Sequence, residues 1–145
     1  MHLLDTHVVS ELRKLKSGRA DRQVSRWAAS SPVGGFFISV ITLMELESGV
    51  LLVTRRDPAQ GKMLRAWMTE QVIPGFAGRV LPVDDAVALR CATLHVPDPR
   101  PERDALIAAT ALVHGMTVVT RNVADFLPMG VLLFNPWTKP TPGQT

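Results

Sequence analysis

The chain has 145 residues, 46% of them hydrophobic, and a formal net charge of +3 from 16 Lys and Arg against 13 Asp and Glu. That length builds one domain with a real core rather than two, and that apolar content excludes a disordered protein. The single cysteine, Cys91, excludes an intramolecular disulfide and the usual thiolate zinc sites, and it suits a reducing, cytoplasmic setting.

In chain order, short apolar segments alternate with longer helical patterns. Strands are expected over residues 2–4, 36–40, 79–83, 116–120 and 131–134, and helices over 8–15, 21–30, 43–53, 60–76, 85–95 and 102–114. Pro58, Pro74, Pro82 and the cluster from Pro97 to Pro101 mark breaks. Strands alternating with helices predict an α/β fold with a mostly parallel sheet covered on both faces. Residues 105–113 are apolar nearly all round, so their helix is expected to be central. No apolar run approaches the roughly 20 residues of a membrane span, and Met1-His2-Leu3-Leu4-Asp5 does not read as a signal peptide. The stretch from Pro136 to Thr145 lacks hydrophobic periodicity and reads as a loose end. The division is therefore a domain over 1–137 and a flexible tail over 138–145.

Charge is unevenly spread. Arg13, Lys14, Lys16, Arg19, Arg22 and Arg26 face only Asp21 between them, six cations against one acid for a local net of +5. Such a patch can attract phosphate backbones, but on charge alone a solvated helix face is the better reading.

In open α/β sheets, ligands bind beyond the carboxyl ends of the strands, and four acids fall there. Asp5 follows the first strand, Glu45 sits in the first helical turn after the second, Asp104 opens the buried helix after Pro101, and Asp125 follows the fourth strand. Singly, each has a structural explanation. Asp5 can cap the helix it precedes, Thr42-Leu43-Met44-Glu45 matches a capping box, Asp104 suits a helix dipole, and Asp125 can organise a turn. Together, four acids at one sheet edge repel unless a cation sits among them. Oxygen ligands without Cys or clustered His point to Mg²⁺ or Mn²⁺, ions that activate water and clamp the oxygens of a phosphoryl displacement. His2, His95 and His114 have no partner at metal-ligand spacing. Trp27, Trp67 and Trp137 can stack on bases or pack the core.

Several segments carry a family resemblance. Leu3-Leu4-Asp5-Thr6 with Ser10-Glu11-Leu12, and Ile38-Ser39-Val40-Ile41-Thr42-Leu43-Met44-Glu45-Leu46, resemble the first two motifs of VapC-type PIN-domain toxins. Arg100-Pro101-Glu102-Arg103-Asp104-Ala105-Leu106-Ile107-Ala108-Ala109-Thr110-Ala111 resembles the third, and Val119-Thr120-Arg121-Asn122 with Asp125-Phe126 the fourth. Asn135-Pro136-Trp137 looks like the usual end of the VapC/FitB subgroup.

The resemblance implies a three-layer α/β/α sandwich and a ribonuclease toxin of a type II toxin–antitoxin system. By it, Asp5, Glu45, Asp104 and Asp125 form a catalytic quartet. Asp5, Asp104 and Asp125 are the metal ligands, Glu45 and Asp125 are candidates to hold a second ion or orient water, and Thr6, Thr120 and Asn122 make supporting or substrate contacts. It further implies Mg²⁺ or Mn²⁺ as cofactor, RNA as substrate, an antitoxin laid over apolar grooves near the first helices, and a homodimer, for which Leu12, Leu15 and Trp67 are exposed apolar candidates. One departure stands out: the family usually reads Asp-Thr-Asn where this chain has Asp5-Thr6-His7. His7 reads as a helix-start residue, and an imidazole there would favour later transition metals. Two other functions compete with it: a PIN-fold module that binds RNA or antitoxin without cleaving, and a phosphate-handling α/β domain. The second lacks a Gly-rich phosphate loop.

Overall fold

The computed structural model describes residues 1–138. Strand β1 (His2–Leu4) leads into α1 (Thr6–Leu12) and α2 (Arg22–Ala29). Next come β2 (Phe36–Ser39), α3 (Val40–Arg56) and α4 (Pro58–Trp67), and a π-helical turn at Met68–Val72 joins α4 to the short α5 (Ile73–Gly75). Then follow β3 (Val80–Leu81), α6 (Asp85–Leu94), α7 (Glu102–His114), β4 (Thr117–Val119), α8 (Val123–Phe126) and β5 (Leu133–Phe134). The sheet order is β3-β2-β1-β4-β5, and every pairing is parallel.

Parallel strands need crossovers, and the helices supply them on both faces. Alternation along each strand divides the core in two. Leu3 and Val118 point to one side, where they pack with Ala105, Ile107 and Ala108 of α7 and with Phe126. Leu4, Val119, Phe36 and Ile38 point to the other, against Val8, Val9, Leu46 and Val50. The result is the expected three-layer α/β/α sandwich. As expected of its composition, α7 is central: Ala105 and all five residues from Ile107 to Ala111 are buried. It ends at Gly115, whose φ of 65° is the left-handed conformation that glycine adopts without penalty.

Some expectations need correction. Helix α3 starts at Val40, not at 43, because the Ser39 hydroxyl caps it by accepting from the Ile41 N–H at 3.0 Å. Thr42 and Glu45 therefore lie inside the helix and form no capping box. The helix expected over 60–76 is broken by its π turn. Pro74 has no N–H to donate back to residue 70, and a wider turn is one way to absorb that loss. Leu12 and Trp67 pack against the core, leaving only Leu15 of the proposed surface trio exposed. Nor is Pro136 the start of a loose end. It is buried, Trp137 packs on the core, and its N–H donates to Asn135 Oδ1 at 2.9 Å. Residues 139–145 of the expected tail lie outside the described residues. His2 sits edge-on to Trp27 and Phe36, and the His95 Nδ1 accepts from the Arg100 N–H, so both serve packing and loop closure. Among the described residues, no helix is long and apolar enough to cross a membrane.

Helices α3 and α4 pack back to back through a single buried glycine. A Cβ built on Gly61 would sit inside contact distance of the Thr54 backbone and hydroxyl, so Gly61→Ala should cost about 1–3 kcal/mol. Gly49, on α3 with open space around it, is the control: Gly49→Ala should gain about 0.5–1 kcal/mol. Urea unfolding of both variants checks the pair of outcomes.

Candidate active site

The chain steps from β1 to β2 and β3 on one side of the sheet, while β4 and β5 lie on the other. The crevice at such a switch point, beyond the carboxyl ends of β1 and β4, is where an open parallel sheet binds ligands. Leu4 is level with Val119, so the next residues, Asp5 and Thr120, stand side by side in it.

Asp5 is only 5% exposed. Its N–H continues the ladder to the Val119 carbonyl at 2.9 Å. Its Oδ1 accepts from the Thr6 N–H at 2.8 Å, capping α1, and its Oδ2 accepts from the Thr120 hydroxyl at 2.8 Å. Burial pushes the carboxyl above its ordinary range and the Glu45 charge adds to this, while the two hydrogen bonds and nearby His7 pull the other way.

Glu45 reaches the same place from the second turn of α3. Its Oε1 accepts from the Thr6 hydroxyl at 2.8 Å, and its Oε2 faces the Arg103 guanidinium at 3.6 Å. Thr6 thus ties the start of α1 to α3, with the buried Thr42 hydroxyl 3.4 Å away. Asp104 stands in the first turn of α7, whose amino end has no side-chain cap. Its carboxyl is held above the ordinary range by burial first, and then by the charges of Asp5, Asp125 and Glu45. All three other acids therefore act on Asp104. Asp125 is exposed on α8, its N–H bonded to the Asn122 carbonyl at 3.1 Å.

Of the supporting residues read from the sequence, Thr6 and Thr120 hold carboxylates directly. Asn122 enters through its backbone, donating its N–H to Thr120 Oγ1 at 3.0 Å. His7 is a helix-start residue as expected, and it is more than that, since it stands close enough to favour the ionised forms of Asp5 and Asp104. The sequence reading missed Arg103 as the partner of Glu45. Its only signal was a cation beside a motif acid, a common surface pattern.

Among the described residues, no three His, Cys, Asp or Glu side chains are grouped to hold an ion by themselves. The donor chemistry still fits Mg²⁺ or Mn²⁺. Mg²⁺ keeps several waters and needs only one or two carboxylates, and the mutual repulsion felt at Asp104 is what a cation relieves.

That repulsion has a measurable sign. A carboxyl whose folded-state pKa is raised adds stability below its unfolded value, near 4, and loses it as pH rises through the folded value. In metal-free buffer at pH 7, Asp104→Asn should therefore melt higher than the parent. The gain should be no more than about 1 kcal/mol because the group is partly exposed, and it should vanish below about pH 4. Thermal melts across pH in EDTA test this. Thr120→Val leaves a buried Asp5 oxygen without its donor and should cost about 1–3 kcal/mol in urea unfolding.

Comparison with known proteins bears on the whole chain. A family model described as the PIN domain matches residues 2–126, a stretch that takes in all four acids. The toxin FitB of Neisseria gonorrhoeae is similar at 35% identity over 143 residues, 94% of this chain and 99% of that one. The VapC ribonuclease Y4jK of Sinorhizobium fredii is similar at 34% over 145 residues, 94% and 98% respectively. The crystal structure of FitAcB from Neisseria gonorrhoeae shares the fold with a TM-score of 0.84 at 34% identity, covering 94% of this chain and 99% of that chain. The chain belongs to the PIN-domain family.

Proposed function

We propose that this protein is a metal-dependent endoribonuclease and the toxin of a toxin–antitoxin pair. The observation that carries the reading is the set of acids at the switch point of a parallel sheet, where Asp5 ends β1, Glu45 is bonded to the neighbouring Thr6, and Asp104 feels the charges of Asp5, Asp125 and Glu45. A relative named as a ribonuclease and another named as a toxin support it.

In this reading Asp5 and Asp104 hold a divalent cation, with Asp125 beside them. A bound Mg²⁺ or Mn²⁺ supplies neutralisation of the phosphoryl oxygens and a water of lowered pKa. Asp5 is fixed for its task, because each carboxylate oxygen has one donor and neither can rotate without losing it. Glu45, steadied by the Thr6 hydroxyl, would take a proton from the attacking water. Water forms the new bond to phosphorus, the bond to the leaving oxygen breaks, and that oxygen takes up a proton. Arg103, beside Glu45, tempers the negative field that would otherwise repel an RNA backbone.

An antitoxin is the proposed protein partner. An apolar groove of about 250 Å³ between α1, α2 and the turn after α5, lined by Leu12, Leu15, Ala28, Phe36 and Phe76, suits an apolar segment of such a chain.

The test is incubation of total RNA with purified protein in Mg²⁺, Mn²⁺ or EDTA. Discrete fragments should need metal and disappear in Asp5→Asn and Asp104→Asn, and growth arrest on expression should disappear with them. Thr120→Val should lose about 10- to 100-fold in metal affinity or activity. A folded parent that binds RNA and cuts none would favour the non-cleaving module, for which the absence of a ready three-carboxylate cage among the described residues is the structural argument.

A further inference from the structure

We propose that the cavity between α1, the loop after β4 and the C-terminal turn is a subsite for one unstacked nucleotide of single-stranded RNA. The proposal rests on the ribonuclease reading and deepens it.

The cavity encloses about 380 Å³, and its lining includes His7, Arg13, Lys14, Arg121, Asn122 and Trp137. That volume is typical of small-molecule sites and far too small for a duplex. Its charge favours an anion: three permanent cations face one lining carboxylate, Glu11, which is already paired with Lys14 at 3.1 Å. Its shape favours a base. The Arg121 guanidinium lies 5.1 Å from the centroid of the Trp137 ring, and aromatic rings and guanidinium planes are the surfaces on which splayed bases stack. Trp137 is half-buried against the core, so this platform is rigid. Arg13 is similarly steadied, 5.9 Å over the Trp67 ring. Both arginines therefore reach the solvent with little remaining freedom to lose on binding.

Position links the cavity to the acids. Asn122 lines it, and its backbone N–H holds the same Thr120 hydroxyl that holds Asp5. His7 lines it as well and acts on both Asp5 and Asp104. A nucleotide seated here sets its neighbouring phosphodiester over the carboxylates. Phosphate contacts from Arg13 and Lys14 fix the strand, and the Arg121–Trp137 pair holds the base.

The experiment is fluorescence anisotropy with a short fluorescein-labelled single-stranded RNA in EDTA, over a range of KCl concentrations, with melting curves for every variant. Arg121→Ala should weaken binding about tenfold and reduce the salt slope by about one. Arg121→Lys, which keeps the charge and loses the planar group, should restore the slope and not the affinity. Trp137→Leu, which keeps apolar volume, should match the loss of affinity with the slope unchanged. The same RNA annealed to its complement should bind more weakly to the parent and ignore all three substitutions. Equal binding of single strands by the parent and the folded variants would overturn the subsite. So would retained RNA binding in an Arg121→Ala protein that no longer captures its antitoxin, which would assign the cavity to the protein partner. A parent that cuts RNA while the variants bind like it sinks the subsite alone; a parent that neither binds nor cuts RNA sinks the ribonuclease reading.

Discussion

A carboxylate at the end of the central strand is what the rest of the site is arranged around. β1 is paired on both edges, and Leu3 and Leu4 are fully buried. The chain then places Asp5 where almost no solvent reaches it. A carboxylate in that position is costly unless its oxygens are bonded. The two donors that satisfy it, the Thr6 N–H and the Thr120 hydroxyl, come from opposite ends of the sequence. Each donor is then used again. The Thr6 side chain secures Glu45 on α3, and Thr120 Oγ1 secures the Asn122 backbone. Meeting the needs of one acid thus fixes the ends of β1, β4 and α3 relative to each other.

Holding the fold together and gathering charge at one place are not rival tasks for these acids. Asp5 caps α1 and lines the crevice with the same carboxylate. Asp104 sits at the positive end of the α7 dipole, which lacks a side-chain cap, and feels the other three acids there. The dipole and the unpaired N–H groups of a helix start lower the cost of gathering like charges without cancelling it. The remaining imbalance at Asp104 marks where positive charge is wanted.

Much of this could be read from the sequence, for identifiable reasons. The Leu3/Leu4 alternation and the alanine-rich run in α7 are dictated by burial on two faces, so the layers and the strand ends followed, and with them the four acids. Local pattern points to Thr42 as the start of α3 and misses Ser39, three residues earlier. Ser39 and Thr42 are both good caps, and the choice falls to Ser39 because β2 must still pair at that position, Ser39 opposite Leu81. The π turn before Pro74, the inward packing of Leu12 and Trp67, and the reach of Arg103 to Glu45 are tertiary outcomes with no periodicity to announce them. Trp137 falls in the same class: three prolines around it read as a loose end, and only the fold shows its ring against the core.

The pairing of β1 with β4 also sets a schedule. His2 is level with Thr117, and the Asp5–Thr120 hydrogen bond spans 115 positions. During synthesis the first strand can pair with β2 early, but it waits for its other neighbour, β4, which is made 115 positions later. Until then Asp5 has the Thr6 N–H but lacks its Thr120 donor, and a nascent chain carries Asp5, Glu45 and Asp104 without the site. Assembly of the site is delayed until Thr120 has been made, so a chain that stops short of β4 carries Asp5, Glu45 and Asp104 but not the hydrogen bond that joins the two strands.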